Sequence, residues 1–124
     1  MASVRDKVRA FALSLPEAVE EHPWGEDVAK VRGKIFVFLG SSNPPSRRIS
    51  VKLDESHGHA LSIAGAEPTG YGLGRGGWVT VPLRAQGVGV QLLRDWVEES
   101  YRIVAPKRLV AALDEPEAGA RPAK

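Results

Sequence analysis

Apolar residues recur at two different spacings along the chain and divide it into predicted helices and strands. Across residues 4–15 they return every three or four positions, which is typical of an amphipathic helix. Ser3 and Asp6 match an N-cap and its acidic partner, and Pro16 ends the pattern. Two further helices are predicted over residues 55–64 and 85–104, and a last short helical turn over residues 106–113.

Alternation of apolar and polar residues predicts five β-strands. In residues 47–53 the apolar positions alternate with Arg48, Ser50 and Lys52, which predicts one buried face and one wet, basic face. Residues 28–32 and 34–39 flank Gly33 and predict a hairpin. The predicted strands are residues 28–32, 34–39, 47–53, 67–71 and 78–83.

The second arm of this hairpin is apolar on both faces, which predicts a central strand. Strict alternation puts Phe36 and Phe38 on the face opposite Ile35, Val37 and Leu39. The acidic residues 17–27, which contain His-Pro-Trp-Gly, are expected to form a turn-like connection. In residues 67–71 a proline favours an edge strand.

The resulting element order, α-β-β-β-α-β-β-α, predicts a two-layer α+β domain with its helices on one face of the sheet. Residues 1–113 are expected to form this single domain. Residues 114–124, rich in Ala, Glu, Pro and Gly, are expected to form a flexible tail.

Composition narrows the class of protein. The chain has 124 residues, 43% hydrophobic and 26% charged, which suits one packed core. It has no apolar run of about 18 residues and no apolar signal core at the N-terminus, so we expect a cytoplasmic protein outside the membrane. Cysteine is absent, which excludes disulfides, a thiol nucleophile and thiolate metal ligands.

The most unusual stretch is the glycine-rich segment 70–77, which leads into Trp78. Its letters match G-x-G-x-x-G, but a strand follows where a dinucleotide fold needs a helix. With Val79 they also match the kinase glycine loop, yet the other kinase motifs are missing. A flexible hairpin tip remains, or a wing whose Arg75 and Trp78 approach a polyanion. Alternation leaves open whether Trp78 faces water.

Catalytic and metal-binding chemistry has little support in the sequence. His22, His57 and His59 are the only histidines, and no carboxylate stands at a recognisable ligand spacing from them. No nucleophile elbow surrounds a serine. We therefore expect no enzymatic activity, no metal and no cofactor.

The formal charge is only +2, so the distribution of the basic residues matters more than their number. If strand order brings them together, several make a patch that contacts phosphates; otherwise they are scattered solubilising charges. The candidates are Arg32, Lys34, Arg47, Arg48, Lys52 and Arg75.

Several blocks together resemble the MmcQ/YjbR family. The resemblance spans about residues 4–113, and its blocks are Leu15-Pro16-Glu17, His22-Pro23-Trp24-Gly25, Val31-Arg32-Gly33-Lys34-Ile35-Phe36, Arg48-Ile49-Ser50-Val51-Lys52-Leu53, Pro68-Thr69-Gly70-Tyr71-Gly72-Leu73-Gly74, Gly77-Trp78-Val79-Thr80-Val81 and Leu92-Leu93 through Trp96-Val97 to Glu99-Ser100-Tyr101.

This resemblance implies a frataxin-like or secretion-chaperone-like fold, with helices on one side of a five-stranded antiparallel sheet. The family is usually labelled DNA-binding, with a double-wing mode. Members commonly carry Asn, Lys or His before the tryptophan block, whereas this chain has Arg75-Gly76-Gly77, which keeps one cation and adds flexibility.

Three functions follow as hypotheses. The first is weak, phosphate-directed DNA binding by the six basic candidates, with Trp78 stacking on a base or sugar. The second is a protein-interaction module, monomeric or weakly dimeric, because tryptophans are enriched at interface hot spots. The third, a small-molecule enzyme, has the least support.

Overall fold

The computed structural model describes residues 3–70 and 72–114, which fold into one antiparallel sheet and four α-helices. The helices are α1 (Val4–Ser14), α2 (His57–Leu61), α3 (Val90–Val104) and α4 (Lys107–Asp114). The strands are β1 (Ala18–Glu21), β2 (Asp27–Val31), β3 (Lys34–Gly40), β4 (Arg48–Lys52), β5 (Glu67–Pro68) and β6 (Trp78–Pro82). The predicted tail, apart from Asp114, lies outside the described residues, as does Tyr71 of the predicted fourth strand.

The strand order across the sheet is β1-β2-β3-β4-β6-β5, and all neighbours are antiparallel. This confirms the predicted α+β class, but the five-strand count and the element order were wrong. The additional strand is β1, which forms inside the acidic segment that was expected to be a turn. Its carboxylates are neutralised from neighbouring elements, because Glu20 binds Arg9 of α1 and Glu21 binds Lys30 of β2.

Helix α1 begins as its sequence predicts. The Ser3 side chain accepts a hydrogen bond from the Asp6 N–H, and the Asp6 carboxylate accepts one from the Ser3 N–H. This reciprocal arrangement satisfies two backbone donors that the first helical turn leaves without partners. The pKa of Asp6 is lowered mainly by the hydrogen bond that its carboxylate accepts from the Ser3 N–H.

Two other helices are shorter than predicted. Helix α3 begins at Val90 rather than at residue 85, because Gly87 has a φ of 85° and Gly89 is extended. Helix α2 covers only His57–Leu61, and no side chain caps it from Ser56. Instead, the Glu99 carboxylate accepts hydrogen bonds from the N–H groups of Asp54 and Ser56, just before the helix begins.

One face of the sheet and all four helices share the hydrophobic core. Val8 and Ala12 of α1, Ala60 of α2 and Leu109 of α4 belong to a single buried cluster. From α3 and the sheet, that cluster includes Leu93, Trp96, Val97, Tyr101, Ala29, Val31, Val37, Leu39, Val51, Val79 and Val81. The predicted inward positions of β4 and the valines of β6 therefore face the helices.

A β-bulge in β3 changes which face Phe36 occupies. Ala29 of β2 pairs with Val37, whereas the next residue, Lys30, pairs with Ile35, so Phe36 is passed over. Phe36 consequently joins Val37 in the core and contacts the Tyr101 ring edge-on, with 5.2 Å between centroids. The prediction that Phe36 and Phe38 share a face was wrong, because a bulge interrupts strict alternation.

The opposite face of the sheet carries no helix among the described residues. Phe38 and Trp78 meet there edge-on, with their ring centroids 5.1 Å apart. Beside them, the hydroxyl of Thr80 lies 2.7 Å from that of Ser50 and 2.9 Å from that of Thr69. This face is thus partly closed by its own aromatic and hydroxyl groups.

Ser100 of α3 bridges the gap that the bulge leaves between β3 and β4. Pairing of these strands runs through Phe38–Ser50 and Val37–Val51, and Phe36 and Lys52 come next. The fully buried Ser100 hydroxyl donates to the Phe36 carbonyl and accepts from the Lys52 N–H at 2.9 Å. One side chain therefore replaces a direct hydrogen bond of the ladder.

We expect Ser100→Ala to lower the free energy of unfolding by about 1–3 kcal/mol, because two buried backbone groups lose their partner. Urea denaturation followed by circular dichroism measures the change. Ser14→Ala is the matched control, since Ser14 is exposed and bonds only within α1. Equal effects of the two substitutions would contradict the bridging role of Ser100.

Candidate functional site

Four of the predicted basic residues lie toward the same end of the sheet. The β2–β3 turn carries Arg32 and is followed by Lys34, and β4 runs antiparallel to β3 so that it finishes at Lys52 on that side. Lys52 pairs with Trp78, the first residue of β6, so the glycine-rich turn that carries Arg75 also reaches this end. Strand order therefore brings the turn and strand cations together.

Two open clefts at this end share Ile103 of α3 as a common wall. The larger, about 700 Å³, is lined by Arg32, Lys34 and Lys107 among other residues. The smaller, about 490 Å³, is lined by Lys52 and Arg75 together with His57 and Asp54. We call Ile103 with the cations Arg32, Lys34, Lys52, Arg75 and Lys107 the Ile103 surface.

Most of these cations are not neutralised by the protein. Within residues 3–70 and 72–114, Lys34, Lys52, Arg75 and Lys107 make no ion pair. Arg32 does, because its Nε lies 2.7 Å from Oε1 of Glu17. Asp54 is the opposing charge in the smaller cleft. The surface thus retains a positive excess.

Arg102 also lines the larger cleft, but carboxylates of the protein already bind its guanidinium. Its guanidinium donates to both carboxylate oxygens of Asp114 and to Oε2 of Glu98. Hydrogen bonds to Asp114 and then to Glu98 raise the pKa of Arg102 still further above its ordinary value. It remains charged but is fully engaged, so it fixes α4 against α3 rather than offering a free cation.

The glycine-rich segment forms a compact 3₁₀ turn over Leu73–Gly76 rather than a long loop. A Cβ on Gly77 would lie 2.7 Å from the Leu53 carbonyl oxygen, and one on Gly74 would lie 2.8 Å from the Pro68 Cβ. The Leu53 N–H also donates to the Gly77 carbonyl at 2.9 Å. These glycines allow close backbone packing, which fixes the position from which Arg75 projects.

Helix α3 positions the rest of the smaller cleft. Ser100 holds Lys52, and Glu99 holds the segment of Asp54 and Ser56 through its hydrogen bonds. Partial burial works to raise the pKa of Glu99, but the hydrogen bonds from Ser56 and Asp54 outweigh it and lower that pKa below its ordinary value. The carboxylate form of Glu99 is therefore what keeps this wall in place.

Arg47 and Arg48 lie at the other end of the sheet. Arg48 pairs with Pro82, the last residue of β6, and the Arg47 carbonyl accepts from the Leu83 N–H. Arg48 is also engaged, because it donates to Oε2 of Glu67 at 2.8 Å and to the Gly65 carbonyl. The six basic candidates thus divide into four that converge and two that do not.

The structure buries Trp78 and exposes a different tryptophan. Trp78 is 8% exposed and packed on Phe38, so its ring is not placed to stack on a ligand. Trp24, between β1 and β2, is 94% exposed. The His-Pro-Trp-Gly turn signal was visible in the sequence, but nothing in its pattern distinguished an exposed indole from a buried one. Ile103 and Lys107 were missed because helical spacing does not show which residues flank a sheet end.

A second cluster of polar side chains surrounds the start of β2. Nδ1 of His22 lies 2.7 Å from Oδ1 of Asp27, and ligand atoms of Glu20, His22 and Asp27 fall within 4.8 Å of one another. Desolvation works to raise the pKa of Asp27, but hydrogen bonds from Arg5 and His22 lower it. Arg5 holds Asp27 and Arg9 holds Glu20, so a metal cation would have to compete with two guanidinium groups.

Comparison with known families places this architecture. A family model described as YjbR matches residues 13–103. The chain belongs to the YjbR family. The YjbR match runs from α1 to Ile103, and therefore covers every strand and both walls of the smaller cleft. No curated protein matches the chain.

The length and polarity of the helices bear on whether this YjbR protein could cross a membrane. In the part of the chain that the structure describes, every helix is too short or too polar to cross a bilayer.

We expect Glu99→Gln to lower the free energy of unfolding by about 1–2 kcal/mol near neutral pH. Because the folded pKa of Glu99 is depressed, its contribution is present above the unfolded value and is lost as pH falls through the folded pKa. The difference between wild type and variant should therefore shrink from about pH 6 to about pH 3 in chemical denaturation. A difference that is constant across this range would contradict the role of the carboxylate.

Proposed function

We propose that this protein binds the phosphate backbone of nucleic acid, DNA in the first instance, through the Ile103 surface and without catalysis. The observation that carries the proposal is the convergence of Arg32, Lys34, Lys52 and Arg75 around Ile103. Three of these four cations have no ion-pair partner among the described residues. The resemblance to a family usually labelled DNA-binding supports the same conclusion.

The arrangement suits an extended polyanion better than a small anion. The cations of this surface project from several separate supports, namely the β2–β3 turn, the start of β3, the end of β4, the glycine turn and α4, and both clefts are open. Successive phosphates of one strand can meet such spaced charges, whereas a single phosphate could reach only some of them.

Contacts of this kind give affinity rather than sequence selection. Phosphate contacts position a protein on nucleic acid, and base contacts specify the sequence. With Trp78 packed on Phe38, the stacking contribution in the initial hypothesis is not part of the proposal. We expect dissociation constants of about 10⁻⁴–10⁻⁶ M, the ordinary range for non-specific binding.

Charge reversal at the Ile103 surface tests the proposal. We expect Lys34→Glu combined with Lys52→Glu to weaken duplex DNA binding at least about tenfold and to reduce the slope of log affinity against log salt by about 2. Fluorescence anisotropy with a labelled duplex at several salt concentrations measures both quantities.

Arg47→Glu combined with Arg84→Glu is the matched control. It changes the net charge by the same amount, but Arg47 and Arg84 flank the opposite end of the sheet and are exposed. The control should lose much less affinity. The proposal would be overturned if both double variants weakened binding equally, or if wild type bound more weakly than about 10⁻⁴ M at low salt.

A further inference from the structure

The indole of Trp24 projects from the protein almost completely free of contacts. It is 94% exposed, whereas the other large apolar side chains exposed in the described residues, Val19 and Ile103, are 51% and 39% exposed. Val19 lies on β1, immediately before the turn that carries Trp24. The two most exposed large apolar side chains of the described residues are therefore five positions apart in the chain.

The backbone of Trp24 is held in an unfavourable conformation. Its φ is 53°, in the left-handed region that a bulky L-residue rarely occupies. The turn is closed by a 3.0 Å hydrogen bond from the Glu26 N–H to the Pro23 carbonyl, and His22 and Asp27 bind each other across it. Such strain persists only where the surroundings impose it, and it clusters at functional sites.

Asp27 connects this turn to the core of the sheet. Its Oδ2 accepts from the buried Arg5 guanidinium at 2.7 Å. Arg5 also donates to the carbonyls of Leu39 and Gly40 at 3.2 and 3.0 Å. The position of Trp24 is therefore fixed through Asp27 and Arg5 to the end of β3.

The strand next to the turn has a free edge. β1 is the outermost strand and pairs with β2 alone among the described residues. An edge strand presents unpaired N–H and C=O groups on which an extended polypeptide can add as a further strand. Val19 offers an apolar contact to such a strand.

The charges along this edge select the partner. Glu21 is exposed but already paired with Lys30, whereas Glu26 is exposed with no ion-pair partner in the described ranges. The Glu26 carboxylate, two residues after the exposed indole, favours a cation, which the ring face also attracts.

We propose that the β1 edge and Trp24 form a docking site for an extended, lysine- or arginine-bearing segment of a partner protein. The segment adds to β1 through main-chain hydrogen bonds and places a cationic side chain over the Trp24 ring. The Trp24 turn lies at the Asp27 end of β2, whereas the Arg32 turn of the Ile103 surface adjoins the opposite end of β1, where Ala18 pairs with Val31.

A model peptide of about ten alternating lysine and valine residues provides the probe. Because Trp78 and Trp96 are 8% and 1% exposed, acrylamide quenching of fluorescence reports mainly on Trp24. We expect the peptide to protect Trp24 from quenching and to shift the amide resonances of β1. Trp24→Gly should weaken binding about tenfold, and its thermal midpoint should stay equal or rise, because glycine accepts positive φ.

Two matched peptides separate the contributions. A glutamate–valine peptide of the same length should not bind, and a backbone N-methylated lysine–valine peptide should bind more weakly because it cannot donate ladder hydrogen bonds. The Lys34→Glu/Lys52→Glu variant should bind the probe normally, which distinguishes this site from the Ile103 surface. The proposal is overturned by absence of binding at about 1 mM probe, by equal binding of Trp24→Gly, by amide shifts away from β1, or by a dimer that Trp24→Gly dissociates.

Discussion

The hydroxyl of Ser100 joins α3 to both strands that meet at the Phe36 bulge, and the placement of the basic end of the domain depends on this joint. At the bulge the Lys52 N–H does not donate directly to the Phe36 carbonyl. Leaving a buried polar group without a hydrogen bond would lower the free energy of unfolding. By serving both, Ser100 fixes the register of α3 against the sheet. Ile103, less than one helical turn further on, is thereby set between the two clefts.

Local patterns predicted the parts of the fold that local forces determine. The α1 capping box and the alternation of β4 and β6 could be read directly, because each depends on residues a few positions apart. The bulge at Phe36 could not, since it depends on Ser100, which is 64 residues away. The sequence pattern did not predict β1, because the cations that pair with its glutamates lie on α1 and β2 rather than within the strand.

The same distinction between local patterns and distant contacts applies to the candidate site. Residue type marked Arg32, Lys34, Lys52 and Arg75 as phosphate-binding candidates, but only the strand order shows that they converge and that Arg47 and Arg48 lie elsewhere. For the tryptophans, alternation put Trp78 opposite the core valines without revealing that Phe38 covers it. Burial is decided by neighbours across the sheet, and a single sequence does not name them.

The close packing at Gly77 also affects how much conformational entropy the backbone loses when a ligand binds. A glycine-rich segment is usually expected to lose freedom when it binds, and ordering a backbone residue costs roughly 1–2 kcal/mol. Here the Leu53 carbonyl oxygen would lie 2.7 Å from a Cβ on Gly77, and the Leu53 N–H, directly after β4, donates to the Gly77 carbonyl. Folding has already ordered this backbone. A ligand that meets Arg75 therefore restricts the arginine side chain, while the turn beneath it keeps the conformation it already has.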